Sequence, residues 1–144
     1  MPTARPVLVA SVLLLCVSAA SAHHGSAVSY DTSKQITLTG VVTDWIWKNP
    51  HVFILFDVTD EQGKVVNWGA ETHPTNFLVR NEVKGAPVPL SATSFKAGDK
   101  VTVTMFPSRI GTPRGLLAKI ATADGTVMLD DGEQRNRGGR GQAQ

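Results

Sequence analysis

Cysteine is almost missing from this sequence, since Cys16 is the only one in 144 residues. An intrachain disulfide and a cysteine-based zinc site both need more than one cysteine, so the sequence excludes both. Cys16 also lies in a segment that we expect to be removed on export. The mature chain would then have no thiol for catalysis.

Signatures of the common enzyme classes are missing as well. The sequence contains no G-x-S-x-G elbow, no H-E-x-x-H motif, no phosphate-binding glycine loop and no dinucleotide fingerprint. No pair of carboxylates has a spacing typical of acid–base catalysis, so we predict no catalytic residue. The acidic residues of turns and strand ends, Asp131 among them, are interpreted as solvated. The net charge of +2 does not indicate a nucleic-acid partner.

The first 22 residues have the organisation of a secretory signal. Arg5 gives a weakly basic start, residues 7–17 form an apolar run, and Ala20-Ser21-Ala22 is a small-x-small cleavage pattern. The run is about half as long as the ~20 apolar residues that a membrane-spanning helix needs. A bulky Leu15 before Cys16 does not suit a lipoprotein signal. We therefore predict cleavage after Ala22, a periplasmic or secreted protein, and no transmembrane segment after processing.

The composition of the remaining chain predicts one small domain with two polar ends. Residues 23–35 show no hydrophobic periodicity and are interpreted as a mobile lead-in. Residues 36–131 are interpreted as a β domain. The tail, residues 132–144, has no apolar residue larger than alanine and is predicted to be disordered. Its arginines among glycines resemble RNA-binding segments, but a solvated terminus is the favoured interpretation for an exported protein.

Periodicity and composition predict six strands and one helix. The strands are expected over residues 36–47, 52–58, 64–71, 101–106, 116–122 and 126–129. Thr72 or His73 would cap the helix, Pro74 would occupy its first position, and it would end near Val83. Gly40 indicates a bulge or sharp coiling in the first strand. This order predicts an OB-like β-barrel of five to six strands with one short helix between strands three and four; an open β-sandwich is the alternative.

Histidines are the residues best suited to bind a metal ion. Cleavage after Ala22 makes His23 the first residue, whose α-amine and imidazole can chelate one metal ion together, with His24 beside it. Imidazole-rich sites suit Cu(II), and also Zn(II) or Ni(II). Pairing of residue 59 with residue 64 would place His51 opposite Thr72, flanked by Glu71 and His73. The predicted metal ligands at this rim are His24, His51, Glu71, His23 and His73, with Cu or Zn as the metal; ordinary solvated and helix-capping histidines are the alternative.

The distance from the N-terminus to this rim argues against a shared site. The first strand is expected to begin at the far end from His51 and to span about 40 Å at ~3.3 Å per residue. The lead-in can reach at most about 43–47 Å. His23 or His24 would therefore have to fold back along an almost fully extended path.

Three tryptophans and an asparagine suggest a ligand-binding rim. Trp45 and Trp47 share one face at the end of the first strand, and Asn49 follows them. Aromatic rings on a barrel surface can stack on sugars or bases. We predict Trp47, Asn49 and Trp68 at this rim, with packing of the tryptophans against the core as the alternative.

Several short motifs together resemble an uncharacterised bacterial family of small exported proteins, a domain of unknown function. They are Ala22-His23-His24, an L-T-G-x-V strand, Asn49-Pro50-His51, a W-x-x-E strand end at residues 68–71, and K-A-G-D-K-V-T-V at residues 96–103. The resemblance covers residues 22–129. It implies a periplasmic location, the barrel, and recurring positions that correspond to His24, His51 and Glu71, but no activity.

Three hypotheses about function follow. The first is a periplasmic binding module for a small ligand or a transition metal at the His/Glu rim. The second is a metal-dependent enzyme with an open coordination position, and the third is a protein–protein interaction module with a periplasmic partner. The missing enzyme signatures favour the first and the third.

Overall fold

The computed structural model describes residues 26–83 and 85–133. In chain order the elements are α1 (Ser26–Ser29), β1 (Ile36–Ile46), β2 (Phe53–Thr59), β3 (Val65–Glu71), α2 (Thr75–Val79), β4 (Lys100–Pro107), β5 (Arg114–Thr122) and β6 (Val127–Asp130). The predicted signal, His23, His24 and residues 134–144 of the predicted tail lie outside the described residues.

The six strands form one sheet that closes on itself. The order is β3-β2-β1-β4-β5-β6, and a parallel pairing of β3 with β5 joins the two ends of the five-stranded part. β1 pairs with two neighbours: its first residues pair with β4 and its last residues pair with β2. The predicted OB-like barrel, with α2 between β3 and β4 and β6 as an extra strand, is confirmed.

Alternation along the strands explains which side chains fill the barrel. On β2, Ile54 and Phe56 are fully buried, whereas Phe53 and Leu55, which alternate with them, are only half-buried. The interior also takes alternate residues of β1 and β4, such as Val42, Val101 and Val103. On the outer face of β1 and β4, threonine hydroxyls pair across the strands instead: Thr37 with Thr104 at 2.9 Å, and Thr39 with Thr102 at 3.2 Å.

Gly40 is not the site of the β1 bulge. The register shift against β2 lies between Val42 and Asp44, so Thr43 is the extra residue. Gly40 lies where β1 passes from β4 to β2, and a Cβ there would come within 2.4 Å of the Asp57 carbonyl oxygen. A glycine is therefore required by a close approach of two backbones.

Three further details differ from the sequence-based expectations. The lead-in contains a short helix, α1, which its polar composition did not predict. Helix α2 is also shorter than expected, because Arg80 is its C-cap and Asn81 adopts a positive φ of 55°. Pro74 is the N-cap rather than the first helical residue, while Thr72 and His73 continue the backbone ladder with Val52.

No described helix has the length and apolar character needed to cross a bilayer.

Candidate functional site

The hairpin of β2 and β3 brings His51 and Glu71 to the same end of the sheet. Thr59 pairs with Val65 and Phe53 with Glu71, so the predicted register is wrong by one residue. Val52 consequently exchanges backbone hydrogen bonds with Thr72 and His73. Because Thr72 is buried, Glu71 and His73 project from the other face of the strand, as expected from a period of two.

His51, Glu71 and Tyr30 form a connected cluster on the outer rim. His51 Nδ1 contacts Glu71 Oε1 directly, and the Tyr30 hydroxyl donates a 2.6 Å hydrogen bond to Glu71 Oε2. The Glu71 side chain is 16% exposed and that of His51 is 44% exposed. Since an ionised carboxylate only accepts hydrogen bonds, Nδ1 carries the proton of this contact, and in the neutral imidazole Nε2 is the nitrogen with the free lone pair. Among the described residues, Nε2 has no hydrogen-bond partner.

Tyr30 reaches this rim because the lead-in is fixed to the outside of β4. Arg109 N donates to Ser29 O at 3.0 Å, Asp31 N donates to Pro107 O at 2.8 Å, and Tyr30 forms a β-bridge with Ser108. The Tyr30 ring packs on a small apolar cluster outside the barrel that consists of Phe106, Leu116 and Ala118. The N-terminal segment therefore arrives beside Glu71.

A side-chain turn holds the next residues of this segment. The Ser33 hydroxyl and backbone N–H donate to Asp31, and Lys34 pairs with it at 3.1 Å. These hydrogen bonds, with the Lys34 charge, lower the pKa of Asp31 to about 2. The carboxylate form that accepts them is thus the one present at neutral pH.

β1 begins at Ile36, at the far end of that strand from His51 as expected, but the distance inferred from this between the lead-in and His51 is too long. Around the barrel, Glu71 pairs with Leu116, Leu116 pairs with Phe106, and the neighbouring Met105 pairs with Ile36. The stagger of strands in a closed barrel thus brings the start of β1 to within about three strand spacings, ~14 Å, of Glu71. The lead-in does not need to span the length of β1.

His73 forms a second, separate pair. Its Nε2 lies 2.7 Å from Asp131 Oδ2, and its ring stacks on Phe77 with centroids 6.1 Å apart. Asp131 is only 2% exposed, and its N–H donates to Ala118 O beside the end of β3. The interpretation of Asp131 as a solvated residue is wrong. The pair joins the end of β3 to the end of β6.

The predicted five-residue metal set is thus divided. The structure brings His51 and Glu71 together, but His73 contacts Asp131 instead of this pair. Within residues 26–83 and 85–133, no three or more His, Cys, Asp or Glu side chains are grouped so that they could hold a metal ion. His23 and His24 lie outside the described residues. Metal ligation by these five residues stays a prediction.

The residues predicted for the ligand rim make internal contacts. Trp45 donates from Nε1 to Ser91 O at 2.8 Å and contacts the Trp47 ring at a centroid distance of 5.7 Å. Trp47 and Trp68 pack against the core while staying partly exposed. Asn49 Oδ1 accepts hydrogen bonds from the backbone and the hydroxyl of Thr75, and so caps the start of α2. A ligand at Trp47, Asn49 and Trp68 stays a prediction.

Sequence reasoning missed Tyr30 and Asp131. Tyr30 lies in a segment whose polar composition predicts no structure, although it is the only tyrosine of the chain. Its placement depends on the bridge to Ser108, which is far away in sequence. In the sequence, Asp131 has the pattern of a solvated residue that follows a strand, and no local pattern identifies its histidine partner.

Comparison with known proteins identifies a family but no activity. The model of DUF6152, described as a family of unknown function, matches residues 10–119. This range begins before the predicted cleavage site and ends within β5, whereas the resemblance was expected over residues 22–129. Searches of curated proteins and of solved structures found no match. Because the match covers most of its length, the chain belongs to the DUF6152 family of unknown function.

Proposed function

We propose that this is an exported, periplasmic binding protein that holds a transition-metal ion, Cu(II) or Zn(II), at the outer rim of its barrel. His51 provides the first ligand through Nε2. Glu71 orients the His51 ring by accepting the Nδ1 proton, which is the carboxylate–histidine–metal arrangement of many metalloproteins. The His51–Glu71 contact is the observation that carries the proposal.

The other ligands come from the new N-terminus. Tyr30 contacts Glu71, and His24 lies six positions before Tyr30 in the chain. Residues 26–29 of this stretch form α1 at ~1.5 Å per residue and the others can extend at ~3.3–3.6 Å per residue, so the stretch reaches up to about 15 Å. His23 and His24 can therefore approach His51 without the extended path that the sequence suggested. An α-amine with neighbouring imidazoles favours Cu(II) over harder ions.

Glu71 has a supporting role in this arrangement. Both of its oxygens are engaged, one by Tyr30 and one by His51, so the carboxylate fixes the imidazole instead of binding the ion. Because His73 is likewise engaged with Asp131, we do not include it among the proposed ligands. The proposed donors are therefore the α-amine, His23, His24 and His51, and the sequence offers no catalytic residue beside them.

Processing of the N-terminus is the first testable requirement. The intact mass of the exported protein should match residues 23–144, because cleavage after Ala22 creates the N-terminal histidine. A mass that retains Cys16 with attached lipid would contradict the predicted signal, and the N-terminal chelate with it.

Three added alanines test the N-terminal chelate directly. Three alanines before His23 move the α-amine away from both imidazoles and leave no histidine at the second or third position, so Cu(II) affinity should fall by about tenfold or more as one of the linked donors is lost. The measurement is a calorimetric titration of the mature and the extended protein. Equal affinities would mean that the α-amine is not a ligand and would overturn this part of the proposal.

A further inference from the structure

We propose that a cleft beside Tyr30 binds an organic anion, a phosphate or carboxylate that carries a short apolar group. The cleft has a volume of about 390 Å³ and lies between the N-terminal segment and the β4–β5 hairpin. Its lining includes Val28, Tyr30, Arg109, Ile110 and Arg114. None of the described residues that line it is acidic.

Arg114 provides a guanidinium group in a fixed position. Its Nη1 donates to Pro113 O at 2.9 Å and to Asn67 O at 3.4 Å. Its side chain lies across Gly69, where a Cβ would come within 3.0 Å of Arg114 Cδ. The guanidinium is therefore held by the backbone, and in the described part of the chain it forms no ion pair. A planar group held in this way suits the two oxygens of a phosphate or carboxylate.

The apolar part of the ligand is inferred from exposed aliphatic side chains. Ile110 is 84% exposed and Val28 is 67% exposed, the two highest values among the exposed large hydrophobic residues of the described chain. Both line this one cleft. Apolar surface next to a fixed cation is the usual composition of a site for a small amphiphilic anion.

This site is distinct from the proposed metal site. The two sites share only Tyr30, which lines the cleft and whose hydroxyl donates to Glu71. Arg114 donates to Asn67 O and Pro113 O, and neither His51 nor Glu71 lines the cleft, so binding of the anion can be tested separately from binding of the metal.

Three soluble probes test the inference on the mature chain. Titration with hexyl phosphate, inorganic phosphate and hexanol, followed by NMR, should give saturable binding that is tightest for hexyl phosphate. Arg114→Gln should weaken that binding by about tenfold or more, as expected for a lost charge-assisted hydrogen bond. Ile110→Ser should weaken hexyl phosphate binding but leave inorganic phosphate binding unchanged.

A matched control variant and a titration with lipid vesicles distinguish the possible outcomes. Arg80→Gln removes the same charge from an exposed arginine outside the cleft and should leave binding unchanged. Binding to phosphatidylglycerol vesicles but not to hexyl phosphate, if lost in Arg114→Gln, supports the site with a lipid headgroup as its source. Binding of no probe, or equal binding by folded Arg114→Gln and the unaltered protein, overturns the inference.

Discussion

His51→Ala should abolish Cu(II) binding by the mature chain, whereas His73→Ala should leave the affinity nearly unchanged. His51 presents Nε2 while Glu71 holds Nδ1, but the Nε2 of His73 is bonded to Asp131. Glu71→Gln should give an intermediate result, about 10–100-fold weaker binding, which is typical when a carboxylate that orients a ligand is lost. Calorimetric titration of the three variants is the measurement.

The two histidine variants also differ in stability, which separates ligation from folding. His73→Ala leaves the carboxylate of Asp131 buried without its imidazole partner, so unfolding free energy should fall by about 1–3 kcal/mol. His51 is 44% exposed and its loss should change stability much less. If His73→Ala lost metal binding while staying folded and His51→Ala kept it, the assignment of the ligand would be reversed.

Gly40→Val should lower the free energy of unfolding by about 1–3 kcal/mol, the usual cost of overpacking. A Cβ at this position lies 2.4 Å from the Asp57 carbonyl oxygen and 2.9 Å from Cδ2 of the buried Phe56. Neither atom can move away cheaply, because one belongs to the backbone and the other to the core. Urea unfolding of the variant gives the value, and Gly40→Ala should be affected in the same direction.

The neighbouring residue provides the control for this substitution. Thr39→Val places the same side chain one position earlier, on the exposed face of β1, and should change stability by about 0.5 kcal/mol or less. Equal stability of Gly40→Val and Thr39→Val would mean that β1 does not approach Asp57. The barrel would then be open at this point.

Local pattern was sufficient to predict the strands and the class of fold. Alternation along residues 52–58 and β-branched residues along 101–106 identify β2 and β4, because a half-buried strand has a period of two. The order of three strands, a helix and more strands was enough to favour a barrel. The exact first and last residues of β4 and β5 differ from the predicted ones, since the ends of these strands depend on their pairing with each other and with β3.

Register and closure could not be predicted from local pattern. The extra residue at Thr43 and the loop between Thr59 and Val65 each shift the pairing by one position, and neither leaves a signal in composition. The stagger around the closed sheet is a property of all the pairings together. For that reason the distance from the lead-in to His51 was overestimated.

The candidate site was predicted only where one hairpin contains both partners. His51 and Glu71 lie on the two strands of a single hairpin, so their proximity follows from antiparallel pairing. Tyr30 and Asp131 come from the two ends of the domain, and tertiary contacts with Ser108 and Ala118 place them. No period along the chain encodes such contacts.

Calorimetric titration of the mature protein, residues 23–144, with Cu(II) at neutral pH tests the proposed function most directly. We expect one ion per chain, bound with an affinity that falls as the pH is lowered, because a protonated imidazole can no longer bind metal. Zn(II) in a parallel titration should bind more weakly, following the general order of these ions. Absence of saturable binding of either ion to the folded, correctly processed protein would contradict the account.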